Sequence, residues 1–211
     1  MRTEAEREYR VDIAGVSYGM DKIESGEISQ SLFDELSVGN TVCAELRLTL
    51  WPDEAPPRMG SIRPYVRDVG ESKWTPLGIF WIDQRVENGP RMEITAYDGM
   101  MKSEAVWTPE QSLRFPMTME QAARHIAGLM GTSLDERCQF NGGYTVDYPA
   151  NEYTLREVLG YIAAAHGGNW IVTAEGKLLL VPLFGAMPAE TSWLVDEDGA
   201  AITMGGVKLL V

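Results

Sequence analysis

Nine consecutive residues constrain this chain more than any other stretch. From Val42 to Leu50, Val42, Ala44, Leu46, Leu48 and Leu50 fall on one side, and Cys43, Glu45, Arg47 and Thr49 on the other. A period of two is that of a half-buried β-strand, one face on a core and one on solvent or a second layer. Val38-Gly39-Asn40 supplies the turn before it. Other segments of the first half carry the same signal. Tyr9–Ile13 alternates and then meets Gly15, Ile23–Leu32 is a polar strand, and Ile62–Asp68 and Trp74–Val86 follow a Pro-rich connection at 51–57 that cannot sit inside a sheet. Asn88-Gly89 reads as a hairpin turn because both residues tolerate positive φ, and the return strand runs through Met92, Ile94 and Ala96 to Asp98. Residues 5–100 are therefore expected to form five or six antiparallel strands, a β-barrel or sandwich.

The period changes after residue 115. Thr118-Met119-Glu120-Gln121 opens a helix with a capping box, its apolar stripe running Met119, Ala122, Ala123, Ile126, Met130 until Gly131 ends it. Thr154-Leu155-Arg156-Glu157 opens a second helix in the same way, with Leu155, Val158, Leu159, Ile162 and Ala163 as its stripe and Gly167 as its stop. The two segments match in layout, as two similar helices packed on one sheet would, although short capped helices also look alike by default. A hairpin, 169–174 and 177–183 around Glu175-Gly176, follows the second helix. Residues 191–211 read as short strands around Asp198-Gly199 and Gly205-Gly206, ending on an apolar run that must be buried in its own core or against a neighbour. The fold class expected is mixed β with α+β: a barrel or sandwich domain at 1–115, then a smaller α+β domain with two short helices at 116–211.

Charge narrows the function. The chain of 211 residues carries a formal net charge of −13, with 18 Lys and Arg against 31 Asp and Glu. Both halves are acidic, which argues against gripping nucleic acid, since that requires clustered cations. The acids serve solubility, or they line a surface past which DNA slides without sticking. The charged N-terminus has no apolar stretch, and no segment approaches the ~18 apolar residues of a membrane span, so no membrane anchor is expected and synthesis in the cytoplasm is. Cys43 and Cys138 are too few for a disulfide framework and read as small buried hydrophobes.

Templates for catalysis fail one by one. There is no phosphate-cradling glycine loop and no Gly-x-Ser-x-Gly elbow. His125 lies mid-helix and His166 in the last turn of the second helix, where a positive charge suits the dipole; neither has a partner at metal-binding spacing. Asp196-Glu197-Asp198-Gly199 lacks the alternation of a calcium loop and reads as a turn. Six tryptophans and eight tyrosines are scattered without a repeat, which favours core and interface packing over a sugar groove. No catalytic, metal or cofactor residue is expected. The residues singled out are architectural: Gly78, Asn88, Gly89 and Asp98 at strand ends, Thr118 and Thr154 as caps, Gly131 and Gly167 as helix stops.

These features together resemble a known family. Val38-Gly39-Asn40 before Ala44-Glu45-Leu46-Arg47-Leu48, Pro76-Leu77-Gly78-Ile79-Phe80-Trp81-Ile82-Asp83, and Met92-Glu93-Ile94-Thr95-Ala96-Tyr97-Asp98-Gly99-Met100 resemble the first barrel of phage tail and baseplate hub proteins. The Thr-capped helix, a glycine and Thr154-Leu155-Arg156-Glu157-Val158-Leu159 are similar to the next region of that family, which includes late control protein D, tail-associated lysins and the type VI secretion spike. The resemblance spans roughly residues 8–185 and rests on structural signatures. It implies a homotrimeric ring between a sixfold tail tube and a threefold spike at the tail tip or baseplate of a virion or phage-derived particle. Tube, distal tail or baseplate, and spike proteins are the implied partners, and no cofactor or sequence-specific nucleic acid is implied. Many relatives continue into longer C-terminal regions with peptidase or lysozyme domains, so any lytic activity is expected on another polypeptide. A tail-tip peptidoglycan hydrolase and a carbohydrate-binding tail-tip module are the alternatives.

Overall fold

A computed structural model describes residues 6–31, 37–108, 113–149 and 151–183, together with the short strands 203–204 and 207–208. The first half supplies eight strands: β1 (Arg7–Ile13), β2 (Val16–Tyr18), β3 (Ile23–Ser29), β4 (Glu45–Leu50), β5 (Ser61–Asp68), β6 (Thr75–Pro76), β7 (Phe80–Asn88) and β8 (Arg91–Asp98). They form one antiparallel sheet in the order β2-β1-β5-β7-β8-β4-β3, with β6 paired to β5. The alternation of β4 places Leu46, Leu48 and Leu50 opposite Ala96, Ile94 and Met92 of β8, all six buried. Each large apolar side chain removed from water there contributes roughly 1.5–3 kcal/mol. Val11, Ile13, Ile62, Phe80 and Ile82 complete this core.

Three details depart from the sequence expectation. The sheet has eight strands rather than five or six, because Ala14-Gly15 turns the chain back into β2 and because Gly78 divides Trp74–Val86 into β6 and β7. Gly78 sits at φ 155°, and a Cβ there would lie 2.5 Å from the Phe80 ring. The hairpin turn is Gly89-Pro90, since Asn88 pairs directly with Arg91; only Gly89, at φ 64°, uses the left-handed region, as a two-residue loop with glycine first requires. Finally, β2 and β3 end the sheet without pairing to each other, so there is no closed barrel.

The second core begins where β8 ends. Asp98 caps a 3-10 helix, Gly99–Glu104, followed by β9 (Met117–Thr118), α1 (Met119–Leu129), β10 (Thr145–Val146), α2 (Leu155–Ala165), β11 (Gly168–Val172) and β12 (Leu178–Pro182). Both helices are 11 residues long, and both carry complete capping boxes, Thr118 with Gln121 and Thr154 with Glu157. Each ends at a glycine of positive φ, Gly131 at 74° and Gly167 at 62°. Their apolar stripes share one core with Trp107, Trp170, Leu178 and Leu180. The hairpin expected at 169–183 is β11–β12, and β13 (Thr203–Met204) pairs antiparallel with β14 (Val207–Lys208). The turn expected at Asp198-Gly199 and the run 209–211 lie outside the described residues.

A strap unites the two cores. Residues 39–42, read from sequence as a turn and the start of a strand, run parallel to β11 instead. Gly39 N–H donates to Gly168, Trp170 N–H to Asn40 and Val42 N–H to Trp170, each at 2.8 Å. Asn169 fastens the same segment through its side chain, accepting from Asn40 N–H and donating to the Ser37 carbonyl. On the far side, Ser133 and Asp135 bond to Leu178 of β12. The small sheet is thus four segments wide, and its edge comes from the sequence between β3 and β4.

Candidate interaction surfaces

The open end of the large sheet is a cleft of about 680 Å³ lined from both sides: Tyr9 and Val11 of β1, Ile23 and Ile28 of β3, and Leu46 and Leu48 at its floor. β3 is exposed over nearly its whole length, and its outer edge pairs with no other described strand. Such an edge offers a row of unpaired backbone groups to another chain. Glu24 guards it, accepting from the Trp51 indole N–H at 2.7 Å and from Arg91 Nε at 2.9 Å. Those bonds hold the Glu24 carboxyl below its ordinary range, the Arg91 contribution being the larger.

On the outer face of β1 and β5, cations alternate with rings. The Arg10 guanidinium lies 4.7 Å from the Tyr65 ring and 4.9 Å from that of Trp74, and Arg67 lies 4.4 Å from Trp74. Lys102 sits 4.1 Å over Trp81. Trp107 and Trp170 are fully buried, rings committed to core packing.

At the junction of the two cores Asp98 is buried and accepts from Met100 N–H at 2.9 Å, Ala44 N–H at 3.1 Å and the Cys43 thiol at 3.4 Å. Burial outweighs these donors and keeps the Asp98 carboxyl above the usual carboxylate range. The Cys43 thiol is pushed up to about 12 by burial, with the nearby Asp98 charge adding to it. Burial also raises Cys138, whose sulfur accepts from Leu180 N–H at 3.3 Å. Both thiols are therefore the opposite of activated nucleophiles. Arg156 crosses the same junction, 2.7 Å from Glu104 and donating to the Thr41 carbonyl at 3.2 Å.

His125 lies mid-helix in α1 and His166 at the C-terminal cap of α2, and each bonds to a neighbouring segment. His166 Nε2 accepts the Asn141 N–H at 3.0 Å while Nδ1 lies 2.8 Å from the Ile162 carbonyl. It thus ties the loop before β10 to the end of α2. His125 Nδ1 accepts the Trp107 indole N–H at 3.2 Å. Among the described residues no three His, Cys, Asp or Glu are placed to share a metal ion.

The eight residues singled out from sequence do not converge. Gly78, Asn88 and Gly89 shape β6–β8, Asp98 joins the cores, and Thr118, Gly131, Thr154 and Gly167 bound the two helices. Sequence reading missed the strap, Asn169 and Arg156; the one signal was Gly39, whose glycine fits a tight crossing as well as a turn.

No known family model matches the chain, and no curated protein does. Solved structures do. The fold is similar to a 43 kDa tail protein of prophage MuSo2 from Shewanella oneidensis, with a TM-score of 0.59, 16% identity, and coverage of 85% of this chain and 56% of that one. It is similar also to a tail protein from Neisseria meningitidis MC58, with a TM-score of 0.56, 13% identity, and coverage of 93% and 53%. The chain spans about half the length of each, and at these identities the likeness is one of fold.

Proposed function

We propose that this chain is a structural, non-catalytic component of a phage-type tail, and more narrowly a hub subunit at the tail tip or baseplate. The observation that carries the reading is the fold likeness to two phage tail proteins, which covers 85% and 93% of the chain. The outer edges of β2 and β3, which pair with no other described strand, support it, because such edges are suited to continue a sheet into a neighbouring subunit. In the narrower reading three copies close a ring that joins a sixfold tube to a threefold spike, with tube, distal tail and spike proteins as partners and the virion tail as its place. A ring is the expected product of a head-to-tail contact whose rotation closes.

Native mass spectrometry and particle imaging of the full chain, alone and with its tail partners, test this. A closed assembly of three copies of the 23.4 kDa chain is expected, by itself or on the tube. A stable monomer that engages no tail protein would overturn the hub reading. Clearing of purified peptidoglycan by the chain alone would overturn the non-catalytic one.

A further inference from the structure

Two asparagines of the chain precede a glycine, Asn88-Gly89 and Asn141-Gly142. A glycine has no Cβ to shield its backbone nitrogen, so the carboxamide before it can approach that atom closely. The fold treats the two sites differently. Asn88 is the last residue of β7 and pairs with Arg91 of β8, so the ladder holds its backbone extended. Asn141, Gly142 and Gly143 are all exposed, in a turn whose Tyr144 N–H donates to the Asn141 carbonyl at 3.1 Å. The Asn141 side chain closes a second ring inside that turn, its Oδ1 accepting from Gly143 N–H at 3.0 Å. This bond folds the carboxamide back along the 141–142 peptide and draws electron density away from its carbon. Among the described residues nothing accepts from Gly142 N–H, and nothing lies within 4 Å of a Cβ at Gly142.

A nucleophile and an electrophile of one chain are thereby set side by side, and holding reactants so replaces an encounter by a ring closure. We infer that Asn141-Gly142 is a self-modification site, at which the chain converts its own carboxamide to a carboxylate. Solvent hydroxide removes the Gly142 amide proton, and the nitrogen attacks Asn141 Cγ. The bond from that nitrogen to Cγ forms and the Cγ–Nδ2 bond breaks. Nδ2 leaves as ammonia after taking a proton from water, which restores the hydroxide, and a five-membered succinimide remains. Water then opens the ring at one carbonyl to give aspartate, or at the other to give isoaspartate, and nothing is oxidised or reduced. In the isoaspartate the main chain runs through Cγ, and the former Asn141 carbonyl becomes a free carboxylate. Tyr144 N–H then loses its turn acceptor, and the Tyr144 carbonyl is the group that takes Met119 N–H at 3.0 Å where α1 begins. Asn141 N–H also donates to His166 Nε2 at 3.0 Å, with the Phe140 and Tyr144 rings edge-on to that imidazole at 5.4 and 5.2 Å. The modification therefore loosens the loop that joins the start of α1 to the end of α2. It is an ageing change, and it stands apart from the tail reading.

The test incubates the full chain in mildly alkaline buffer made with ¹⁸O-water and follows its tryptic peptides by mass spectrometry. Residues 138–156 form one such peptide and hold Asn141, while residues 86–91 form another and hold Asn88. Asn141 is expected to become a heavy-oxygen carboxylate about tenfold or more faster than Asn88, with fragment ions placing the change at 141. Methylation by a protein isoaspartyl methyltransferase should mark the isoaspartate product. Gly142→Ala, for which there is open space and no positive φ, should slow the conversion about tenfold or more while the amide spectrum elsewhere stays that of the parent. Unfolding the chain in urea should slow Asn141 toward the rate of Asn88, because the turn that sets the carboxamide is lost. An intact Asn141, conversion at Asn88 as fast as at Asn141, or an unchanged rate in a folded Gly142→Ala chain would overturn the proposal. So would a rate in urea that equals or exceeds the native one.

Discussion

Replacing Gly160 by alanine tests the strap directly, because helix propensity and tertiary packing demand opposite signs. In an exposed helix interior Gly→Ala stabilises by about 1 kcal/mol. At Gly160 the new Cβ would stand 2.8 Å from the Gly39 carbonyl oxygen, half an ångström or more inside ordinary contact, and its obstacle is backbone. Gly39 cannot yield inward, since its own Cα side already faces Ala164 and the Gly160 carbonyl at 3.1–3.2 Å for an added Cβ. The strap must lift, which stretches the three 2.8 Å bonds between 39–42 and β11 toward the limit of a useful hydrogen bond. At about 1 kcal/mol each their loss costs roughly 3 kcal/mol, which the helix gain offsets only in part. The net expectation is a destabilisation of about 1–2 kcal/mol, or a Tm lowered by roughly 2–8 °C for a chain of this size. Gly128→Ala in α1 is the control, since nothing lies within 4 Å of a Cβ there and the change should stabilise by about 0.5 kcal/mol. Urea unfolding followed by the emission of buried Trp170, whose indole bonds to the Leu159 carbonyl beside the crossing, reads both variants. If Gly160→Ala stabilises as Gly128→Ala does, the strap does not press on α2 and the account of the junction is wrong.

The other predictions concern single local devices. Thr118→Ala and Thr154→Ala should each cost about 1 kcal/mol in chemical denaturation; because the Thr154 bonds hold Glu157 below its ordinary range, the Thr154 loss should be largest above a carboxylate's unfolded value of ~4.3 and shrink as pH falls below it. A pH-independent Thr154 effect would contradict the box. Cys43, with its thiol pushed up to about 12, should resist a disulfide reagent at pH 8 in the native chain and react on unfolding, so prompt native labelling of Cys43 would refute the buried Asp98 contact. Ala14, at φ 49° in the β1–β2 turn, is the one described non-glycine residue in the left-handed region; Ala14→Gly should therefore raise stability by roughly 0.5–1 kcal/mol, read as a higher melting temperature.

The parts of this fold legible in sequence are those whose cause is local. The alternation of Val42–Leu50 places Ala44, Leu46, Leu48 and Leu50 in the core because a pleated strand leaves no other choice. Thr118 and Thr154 cap their helices because their hydroxyls lie within reach of the third residue's N–H. What was illegible is set by distant neighbours. Nothing near Asn40 announces that Asn169, 129 residues away, will satisfy its backbone. Nothing near His166 announces that Asn141 will donate to its ring. Asn88-Gly89 was misplaced by one residue because two registers of the hairpin fit the same dipeptide, and the pairing of β7 with β8 decides between them.

The strap gives the junction a meaning that the covalent path alone would not. Between β8 and the second core the chain passes once, through Asp98 and the 3-10 helix, and one such crossing is a hinge. The segment 37–43 crosses again, and six hydrogen bonds fasten it: three to the backbone of β11, two to the Asn169 side chain and one from Arg156. At about 1 kcal/mol apiece these make rotation of one core against the other expensive on the scale of total protein stability. Two crossings a few residues from one another in space, both buried at Ala44 and Asp98, turn the hinge into a fixed angle. For a subunit proposed to sit in a loaded tail assembly, that fixed angle is the property that matters. The edges of β2 and β3, which pair with no other described strand, can specify a neighbour only if the body that carries them holds one orientation.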